Sequence, residues 1–344
     1  MMFFHRVRRL VAGSASMAVA GSLFVAAIPL TSPIGALAAS PSCADPITRV
    51  PTGPATVSAM ASPFGRMLVI GSGAYAGCSL YLLTSDQIHA RSGPQFACGA
   101  TSPLGPPCNT ILWPALLTAG APIAGHGVKA GLLGTVTRTD LPGLPTIHQV
   151  TYAGHPLYRF FLDEVPGETE GANLFDPVTS PTGIWYLVNP SHGHPATGRA
   201  RLVVETASIG ATGPDSTVLA VSLNNDFSLF PNAAFPVYTL RAKGEGGGDD
   251  GLRAGSCPKS CVQSWPPVLT SMRPEAGPGV SPDAIGVILR RDGTEQVTYN
   301  GQPLYLFVGD AYIGGPVKYP FASPEINGAG ASTPWGVFNT IPRS

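Results

Sequence analysis

The sequence contains little charge and no excess of either sign. Only 12% of its 344 residues are charged, Lys+Arg and Asp+Glu both number 20, and the formal net charge at pH 7 is zero. A protein that binds nucleic acid needs a basic surface to attract the phosphate groups. The composition therefore excludes nucleic acid as a partner.

Sustained helical periodicity and the familiar catalytic motifs are also missing. The 42 glycines and 36 prolines interrupt helices, while the 44% of hydrophobic residues suffices for a core. There is no Gly-x-Ser-x-Gly elbow, no His-Glu-x-x-His pair and no phosphate-binding loop. These features predict an all-β protein of short strands and many turns, and they give no reason to expect a cofactor.

The first 38 residues are typical of an export signal. Basic residues lie at positions 5–9, an apolar stretch runs from Leu10 to Leu30, and the small-residue site Ala36-Leu37-Ala38 follows. An uncleaved anchor is the alternative, because about 20 apolar residues can span a bilayer. No later run is long and apolar enough to do so. Cleavage predicts a mildly acidic mature protein without a stable membrane span, secreted or extracytoplasmic, beginning with a linker at 39–49.

The rest of the chain repeats itself. Residues 149–158, QVTYAGHPLY, return as residues 296–305, QVTYNGQPLY, and the segments around Trp113-Pro114 and Trp265-Pro266 also correspond. The sequence predicts two homologous tandem domains, at 50–197 and 198–344. A shorter pattern occurs twice in each domain, which predicts that each domain contains two β repeats, arranged as a sandwich or a propeller.

The shorter pattern consists of a strand-like segment that contains a tyrosine, followed in most copies by an aspartate and in all copies by a tryptophan. Three of the tyrosines precede an aspartate by five residues, and a tryptophan follows each tyrosine after 27 to 32 residues. Aromatic residues at alternate positions are typical of a pleated surface that packs on one side. The repeat-motif residues are Tyr81, Asp86, Trp113, Tyr158, Phe160, Asp163, Trp185, Tyr238, Trp265, Tyr305, Phe307, Asp310 and Trp335.

These motifs resemble a bacterial secreted-repeat family, the predicted lipoproteins with a Tyr-x-(Phe/Trp/Tyr)-x-x-Asp motif. Two copies match fully, at 158–163 and 305–310, and the family's Cys-x-x-x-Cys-x-x-x-Trp-Pro-Pro element stands at 257–267. The resemblance implies an exported repeat protein of undefined biochemical role, and it transfers no catalytic residues. The sequence departs from the family in lacking a lipobox, so a lipid anchor is not expected.

Six cysteines in an exported chain indicate disulfides. Cys98 and Cys108 precede Trp113 as Cys257 and Cys261 precede Trp265, which predicts two local pairs and leaves Cys43 to pair with Cys78. A redox or metal-handling pair at Cys257/Cys261 is the alternative, because a thiolate there would lie beside Lys259.

Two further groups of residues are candidates for chemistry. The histidines at 155, 192 and 194 are able to bind copper or zinc, but the small and turn-forming residues around 192 and 194 favour a solvated loop, and the second half has no equivalent histidines. The carboxylates between Asp163 and Glu170 are the densest in the chain, and two carboxylates suffice to hydrolyse a glycoside.

The sequence as a whole favours a non-catalytic function. The motif copies keep tyrosine and tryptophan while their polar positions vary, which is typical of a packed core rather than a shared ligand site. We therefore expect an exported protein of the cell envelope or the medium with a binding or structural role and an unknown extracellular ligand. The alternatives are the redox or metal-handling protein and, more weakly, a carbohydrate-active hydrolase.

Overall fold

The structure is a computed structural model that describes residues 41–102, 106–176, 183–210, 213–222, 234–242, 257, 259–311 and 325–342. The predicted signal peptide therefore lies outside the described residues. Strands make up 39% of the described residues and helices 7%, which confirms the all-β prediction.

Most strands are short. The strands in the N-terminal part are β1 (Thr56–Ser62), β2 (Gly65–Ile70), β3 (Tyr81–Leu83), β4 (Leu117–Thr118), β5 (Ile123–Ala124), β6 (Leu133–Arg138), β7 (Ile147–Tyr152), β8 (His155–Pro156), β9 (Leu174–Asp176), β10 (Gly183–Val188) and β11 (Pro195–Ala196). Those that follow are β12 (Arg201–Ser208), β13 (Asp215–Ser222), β14 (Ala234–Pro236), β15 (Tyr238–Ala242), β16 (Leu269–Thr270), β17 (Glu275–Ala276), β18 (Ile285–Leu289), β19 (Glu295–Tyr299), β20 (Gln302–Pro303), β21 (Ala331–Ser332) and β22 (Gly336–Thr340).

The helical elements among the described residues are single turns. They are a π-helical turn (Cys108–Leu112), three 3-10 turns (Ala130–Leu132, Pro282–Ala284 and Val308–Ala311) and the α-helix α1 (Lys259–Val262).

The described strands form sheets that occur in matching sets. The orders β4-β7-β6 and β16-β19-β18 correspond, with β8 and β20 as the extra strands on β7 and β19. The long hairpins β1-β2 and β12-β13 also correspond, because each pairs in parallel with a short later strand, β5 or β17. In the third matching set, β3 pairs with β10 in the first half and β15 pairs with β22 in the second. The repetition seen in the sequence is thus present in the pairing of the strands.

The two halves share one hydrophobic core. A single cluster of buried residues contains Leu68, Leu82 and Leu157 from the first half together with Leu219 and Leu304 from the second. Two smaller clusters belong to one half each and hold the motif aromatics. The predicted boundaries at residues 50, 197 and 198 remain a prediction, whereas the packing of the halves against each other is a property of the structure.

The first motif strand separates two of these cores. Leu80 and Leu82 lie in the shared core, whereas Tyr81 and Leu83 lie in the aromatic core of the first half. Successive side chains of a strand point to opposite faces, so alternate residues of β3 enter different cores. A strand that is buried on both faces is hydrophobic throughout, which is why this segment shows no polar alternation.

Only two of the four motif copies are strands. Tyr81 and Tyr238 begin β3 and β15, but Tyr158 and Tyr305 form isolated bridges outside any strand. Tyr158 bridges both Tyr81 and Ala115, and the next amide, that of Arg159, donates to Pro114 at 2.9 Å. Its neighbours are therefore a motif strand on one side and an irregular segment on the other, and no regular ladder continues from it.

The hairpin turns that follow β7 and β19 differ in one residue with a measurable consequence. Ala153 and Asn300 both have positive φ, 47° and 49°, and a glycine follows each. Both residues have a Cβ that disfavours the left-handed conformation, but the short polar side chain of asparagine offsets this cost by hydrogen-bonding locally and that of alanine does not. Replacing the exposed Ala153 by asparagine should therefore raise the free energy of unfolding by about 0.5–1 kcal/mol in urea denaturation.

The second turn supplies the matched control for this prediction. The reverse change, Asn300→Ala, should lower the free energy of unfolding by a similar amount. If both variants shift it in the same direction, turn conformation is not what distinguishes them.

Candidate functional site

The motif residues of the first half meet in one buried group, called here the N-terminal aromatic cluster. Its members are Tyr81, Asp86, Trp113, Tyr158, Phe160, Asp163 and Trp185. The equivalent group in the second half, the C-terminal aromatic cluster, contains Tyr238, Trp265, Tyr305, Phe307, Asp310 and Phe338.

Two backbone hydrogen bonds join the motif copies of each half. The amide of Tyr81 donates to the carbonyl of Tyr158 at 2.9 Å, and the reverse bond measures 3.0 Å. Tyr238 and Tyr305 exchange two bonds of 2.9 Å. The tyrosines therefore lie directly opposite each other as antiparallel partners, and the two motifs of a half are related by a local two-fold arrangement.

In the first half, the tyrosine hydroxyl of each motif hydrogen-bonds to the aspartate of the other motif. The Tyr81 hydroxyl donates to Asp163 Oδ2 at 2.7 Å, and the Tyr158 hydroxyl donates to Asp86 Oδ2 at 2.8 Å. Each aspartate thus accepts from the tyrosine of the other motif. In the second half Tyr238 donates to Asp310 at 2.7 Å, while Lys243, which replaces the fourth aspartate, lies outside the described residues.

The second carboxylate oxygen of each aspartate accepts a backbone amide. Asp86 accepts from Ala97 at 2.7 Å, Asp163 from Glu170 at 2.9 Å and Asp310 from Asn327 at 2.8 Å. These donors lie 7 to 17 residues farther along the chain. The aspartates therefore fasten long loops to the motif strands in addition to joining the motifs.

Stacked rings fill the centre of each cluster. Trp113 lies between Trp185, at 3.7 Å between ring centroids, and Phe160, at 4.1 Å. Trp265 lies in the same way between Phe338, at 3.7 Å, and Phe307, at 4.3 Å. Stacked aromatic rings add attraction to the area that they bury.

The fourth tryptophan does not occupy the position that its spacing predicts. Trp185 pairs with Leu83 on β3, and the residue that pairs in the same way with Leu240 on β15 is Phe338. Trp335 precedes β22, is half-buried and packs against the C-terminal aromatic cluster. The motif was defined in the sequence by residue type, whereas the register of the strands decides which aromatic ring lies at the centre of the cluster.

Sequence reasoning missed the polar centre of the N-terminal cluster, which is Arg138. Its side chain is fully buried, and each of its five N–H donors has an acceptor. Nε and Nη2 donate to Asp140, both at 2.7 Å, and Nη2 also donates to the carbonyl of Cys98. Nη1 donates to Gln149 and to the hydroxyl of Tyr158. The available signal was the spacing Arg-x-Asp before Gln-Val-Thr-Tyr, which recurs at Arg290.

The buried carboxyl groups have displaced pKa values. Burial raises the pKa of Asp163 to about 8, that of Asp310 to about 7 and that of Asp86 to about 6. The tyrosine hydroxyl on each carboxylate and the backbone donors oppose the rise, and for Asp86 the Arg138 guanidinium also opposes it. Burial and the neighbouring carboxylate in turn raise the pKa of Tyr81 and Tyr158.

Two of the three tyrosine–aspartate pairs are closed to substrates, and in the third Asp86 is partly exposed. Asp163 and Asp310 are 1% and 2% exposed, and the tyrosines of both clusters are at most 1% exposed. Displaced pKa values often mark catalytic groups, but a general acid or base must reach its substrate. These groups instead connect parts of the fold.

Two of the carboxylates at 163–170 are engaged by backbone amides of the protein itself. Asp163 is buried, and Glu168 Oε2 accepts the amides of Glu164 and Val165 at 2.5 and 3.0 Å. Both side chains thus hold turns of the backbone.

The histidine candidates lie near one another. The rings of His192 and His194 are 4.3 Å apart between centroids. Burial lowers the pKa of His155, and the neighbouring His194 and His89 lower it further. Within the part of the chain that the structure describes, no group of three or more His, Cys, Asp or Glu side chains is arranged to hold a metal ion.

The cysteines form three disulfides, Cys43–Cys78, Cys98–Cys108 and Cys257–Cys261. This pairing agrees with the one expected from the correspondence of the halves. All six cysteines are at most 3% exposed. Because thiol exchange requires direct access to sulfur, such bonds react slowly with external thiols.

Two segments of the chain match a known family. Residues 147–176 and 286–315 match the model of a family described as a secreted repeat of unknown function. The matched segments overlap when the two halves are aligned, and each includes the second tyrosine and the aspartate of its half. Comparisons with curated proteins and with solved structures returned no match.

Proposed function

We propose that this protein is an exported, non-catalytic repeat protein that acts in the cell envelope or the medium, in a binding or structural role. The match to a secreted repeat supports the location. The observation that carries the proposal is the placement of the tyrosine–aspartate pairs. Each pair joins two repeats, and every carboxylate in them, including the partly exposed Asp86, already accepts from a tyrosine hydroxyl and a backbone amide.

The disulfides support an extracytoplasmic site of action. Such bonds form and persist in oxidising compartments and are rare where glutathione keeps thiols reduced. No helix among the described residues is long and apolar enough to cross a membrane. The basic and apolar segment at residues 5–38 provides the route of export that we propose, with cleavage after Ala38.

Cell fractionation of the full chain tests this proposal. We expect the mature protein outside the cytoplasm, with an N-terminus near Ala39 and, by mass spectrometry without reductant, three intact disulfides. Recovery of a cytoplasmic chain with free thiols would disprove the proposal. Retention in the membrane fraction with residues 1–38 intact would replace secretion with anchoring.

The same preparation separates the structural role from redox chemistry. If the disulfides are structural, Cys257–Cys261 should resist a reductant at concentrations that reduce small-molecule disulfides, because the native fold covers both sulfurs. The matched reference is Cys98–Cys108 in the corresponding position of the first half. Selective reduction of Cys257–Cys261 in the folded protein would instead favour a redox function.

A further inference from the structure

The edge strand β18 has features that its counterpart β6 lacks. Both strands end their sheets, and among the described residues β18 pairs with β19 alone. Val287 is 39% and Leu289 70% exposed. The equivalent positions of β6 hold Thr135 and Thr137. The second half thus exposes apolar side chains where the first half exposes threonines.

These apolar side chains lie on the face of the sheet that is turned to the core. Val287 is the cross-strand neighbour of Val297, which is fully buried in the shared core. Side chains directly opposite each other in an antiparallel pair lie on the same face. Val287 and Leu289 therefore lie on the same face of the sheet as the shared core, but on the edge strand, where they are exposed. Another strand paired with β18 would continue this apolar face.

The backbone of β18 is able to accept such a strand. Ala284 O accepts the amide of Asn300 at 2.7 Å, and the amide of Arg290 donates to Thr294 at 2.8 Å, so both residues point toward β19. Hydrogen-bonding groups alternate in direction along an antiparallel strand. The N–H and C=O groups of residues 287 and 289 and the C=O of Ile285 consequently point away from β19, toward the open edge, whereas the N–H of Ile285 already donates to Pro282 O.

The charged residues near the two ends of β18 indicate which strand would pair with its open edge. Asp283, just before the strand, and Arg291, just after it, are both exposed. When two copies of β18 pair antiparallel with Val287 opposite itself, Ile285 lies opposite Leu289. The Asp283 end of each copy then lies beside the Arg291 end of the other. The corresponding residues of the first half, Gly131 and Thr139, carry no charge.

We propose that the protein forms a two-fold symmetric dimer in which β18 of one copy pairs antiparallel with β18 of a second copy. A two-fold interface must be self-complementary, and the central valine, the apolar neighbours and the opposite terminal charges meet that condition. Unpaired apolar edges are normally protected by charged side chains, and β18 has none between Ile285 and Leu289. The proposal is independent of the function proposed above.

Sedimentation analysis of the oxidised mature protein over a dilution series tests the dimer. We expect wild-type protein to dimerise and Leu289→Lys to weaken the dimer about a hundredfold, because a charge enters the interface from both copies. Leu289→Thr, which installs the residue of the first half, should weaken it in the same direction. The matched control Thr137→Lys on β6 should leave the dimer unchanged, and circular dichroism should show all variants folded.

Charge reversal tests the register. Asp283→Arg and Arg291→Asp should each weaken the dimer about tenfold, and the double variant should recover most of the loss. A monomeric wild type at high micromolar concentration overturns the proposal, as does a dimer that is insensitive to Leu289→Lys. A monomer in which hydrogen exchange finds the amides of residues 287 and 289 protected also overturns it, because another part of the chain then covers the strand.

Discussion

Raising the pH from 4 to 8 should destabilise this protein, with Asp163 as the main cause. Burial raises the pKa of Asp163 from 3.8 to about 8 in the folded protein, so the folded state holds a proton that the unfolded chain releases. The stabilisation is complete below pH 4, is lost as the pH rises toward 8, and changes little above that. One pKa unit corresponds to about 1.4 kcal/mol, so the loss at Asp163 is on the order of 5 kcal/mol.

The surroundings of Asp163 explain why its pKa is raised rather than lowered. Its oxygens accept from the Tyr81 hydroxyl and the Glu170 amide, and its ionic neighbours, Glu168 and Glu170, add negative charge. Asp310 and Asp86 change stability in the same direction over narrower windows, up to pH about 7 and about 6. The lowered pKa of His155 acts in the opposite sense, but only below its ordinary value of 6.5. From pH 6.5 to 8 the histidine no longer contributes, and Asp163 contributes more than Asp310 because its pKa of about 8 is the higher of the two.

Urea unfolding at a series of pH values, with Asp163→Asn as the test variant, measures the effect. Asparagine keeps an acceptor oxygen and, like the protonated acid, offers a donor, but it does not ionise. We expect the variant to lose most of the pH dependence between 6.5 and 8. Asp215→Asn, at an exposed position at the start of β13, is the control and should keep the wild-type slope. A wild-type free energy of unfolding that rises with pH in this interval would contradict the assignment.

Truncation of Phe338 should cost far more stability than truncation of Trp335, although tryptophan is the larger residue. Phe338 is fully buried and stacks on Trp265 at 3.7 Å between centroids, with Tyr305 edge-on at 5.6 Å. Removing a buried aromatic ring typically costs about 3–5 kcal/mol, since it leaves a cavity as well as losing buried area. We expect Phe338→Ala to fall in that range and Trp335→Ala to cost about 1 kcal/mol, because Trp335 is only half-buried.

Denaturant unfolding at acid pH, where the buried carboxyl groups are protonated, compares the two variants. Trp185→Ala in the first half is the matched reference, since Trp185 stacks on Trp113 at the same distance of 3.7 Å. Its cost should resemble that of Phe338→Ala. If Trp335→Ala proves the more damaging change, the tryptophan spacing describes the repeat better than the strand register of β15 and β22.

Much of the architecture was predictable because it depends on local or repeated patterns. The abundance of glycine and proline with few charges indicated short strands, and the recurrence of residues 149–158 at 296–305 indicated a duplicated unit. The structure confirms the all-β fold, and its matching sheets repeat in the same order. The cysteine pairs followed from comparing equivalent positions in the halves. The signal peptide and the domain boundaries remain predictions.

The arrangement of the candidate site was less predictable. Alternation along Tyr158-Arg159-Phe160 indicates that the two rings share a face, and both do belong to the N-terminal aromatic cluster. It does not indicate that Tyr158 hydrogen-bonds to the aspartate of the other motif, 72 residues earlier. Arg138 likewise gains three of its five acceptors from Gln149, Tyr158 and Cys98, which lie 11, 20 and 40 residues away in the chain.

The sequence by itself determined the composition of this protein, its all-β character and its internal repetition, because each of these is written in neighbouring or recurring residues. Only the tertiary structure decided which tyrosine meets which aspartate, which ring replaces Trp185 in the second half, and that the two halves bury one core between them. Such contacts depend on strand register and on the packing of faces from distant segments, and a period-two pattern specifies a face without specifying its partner.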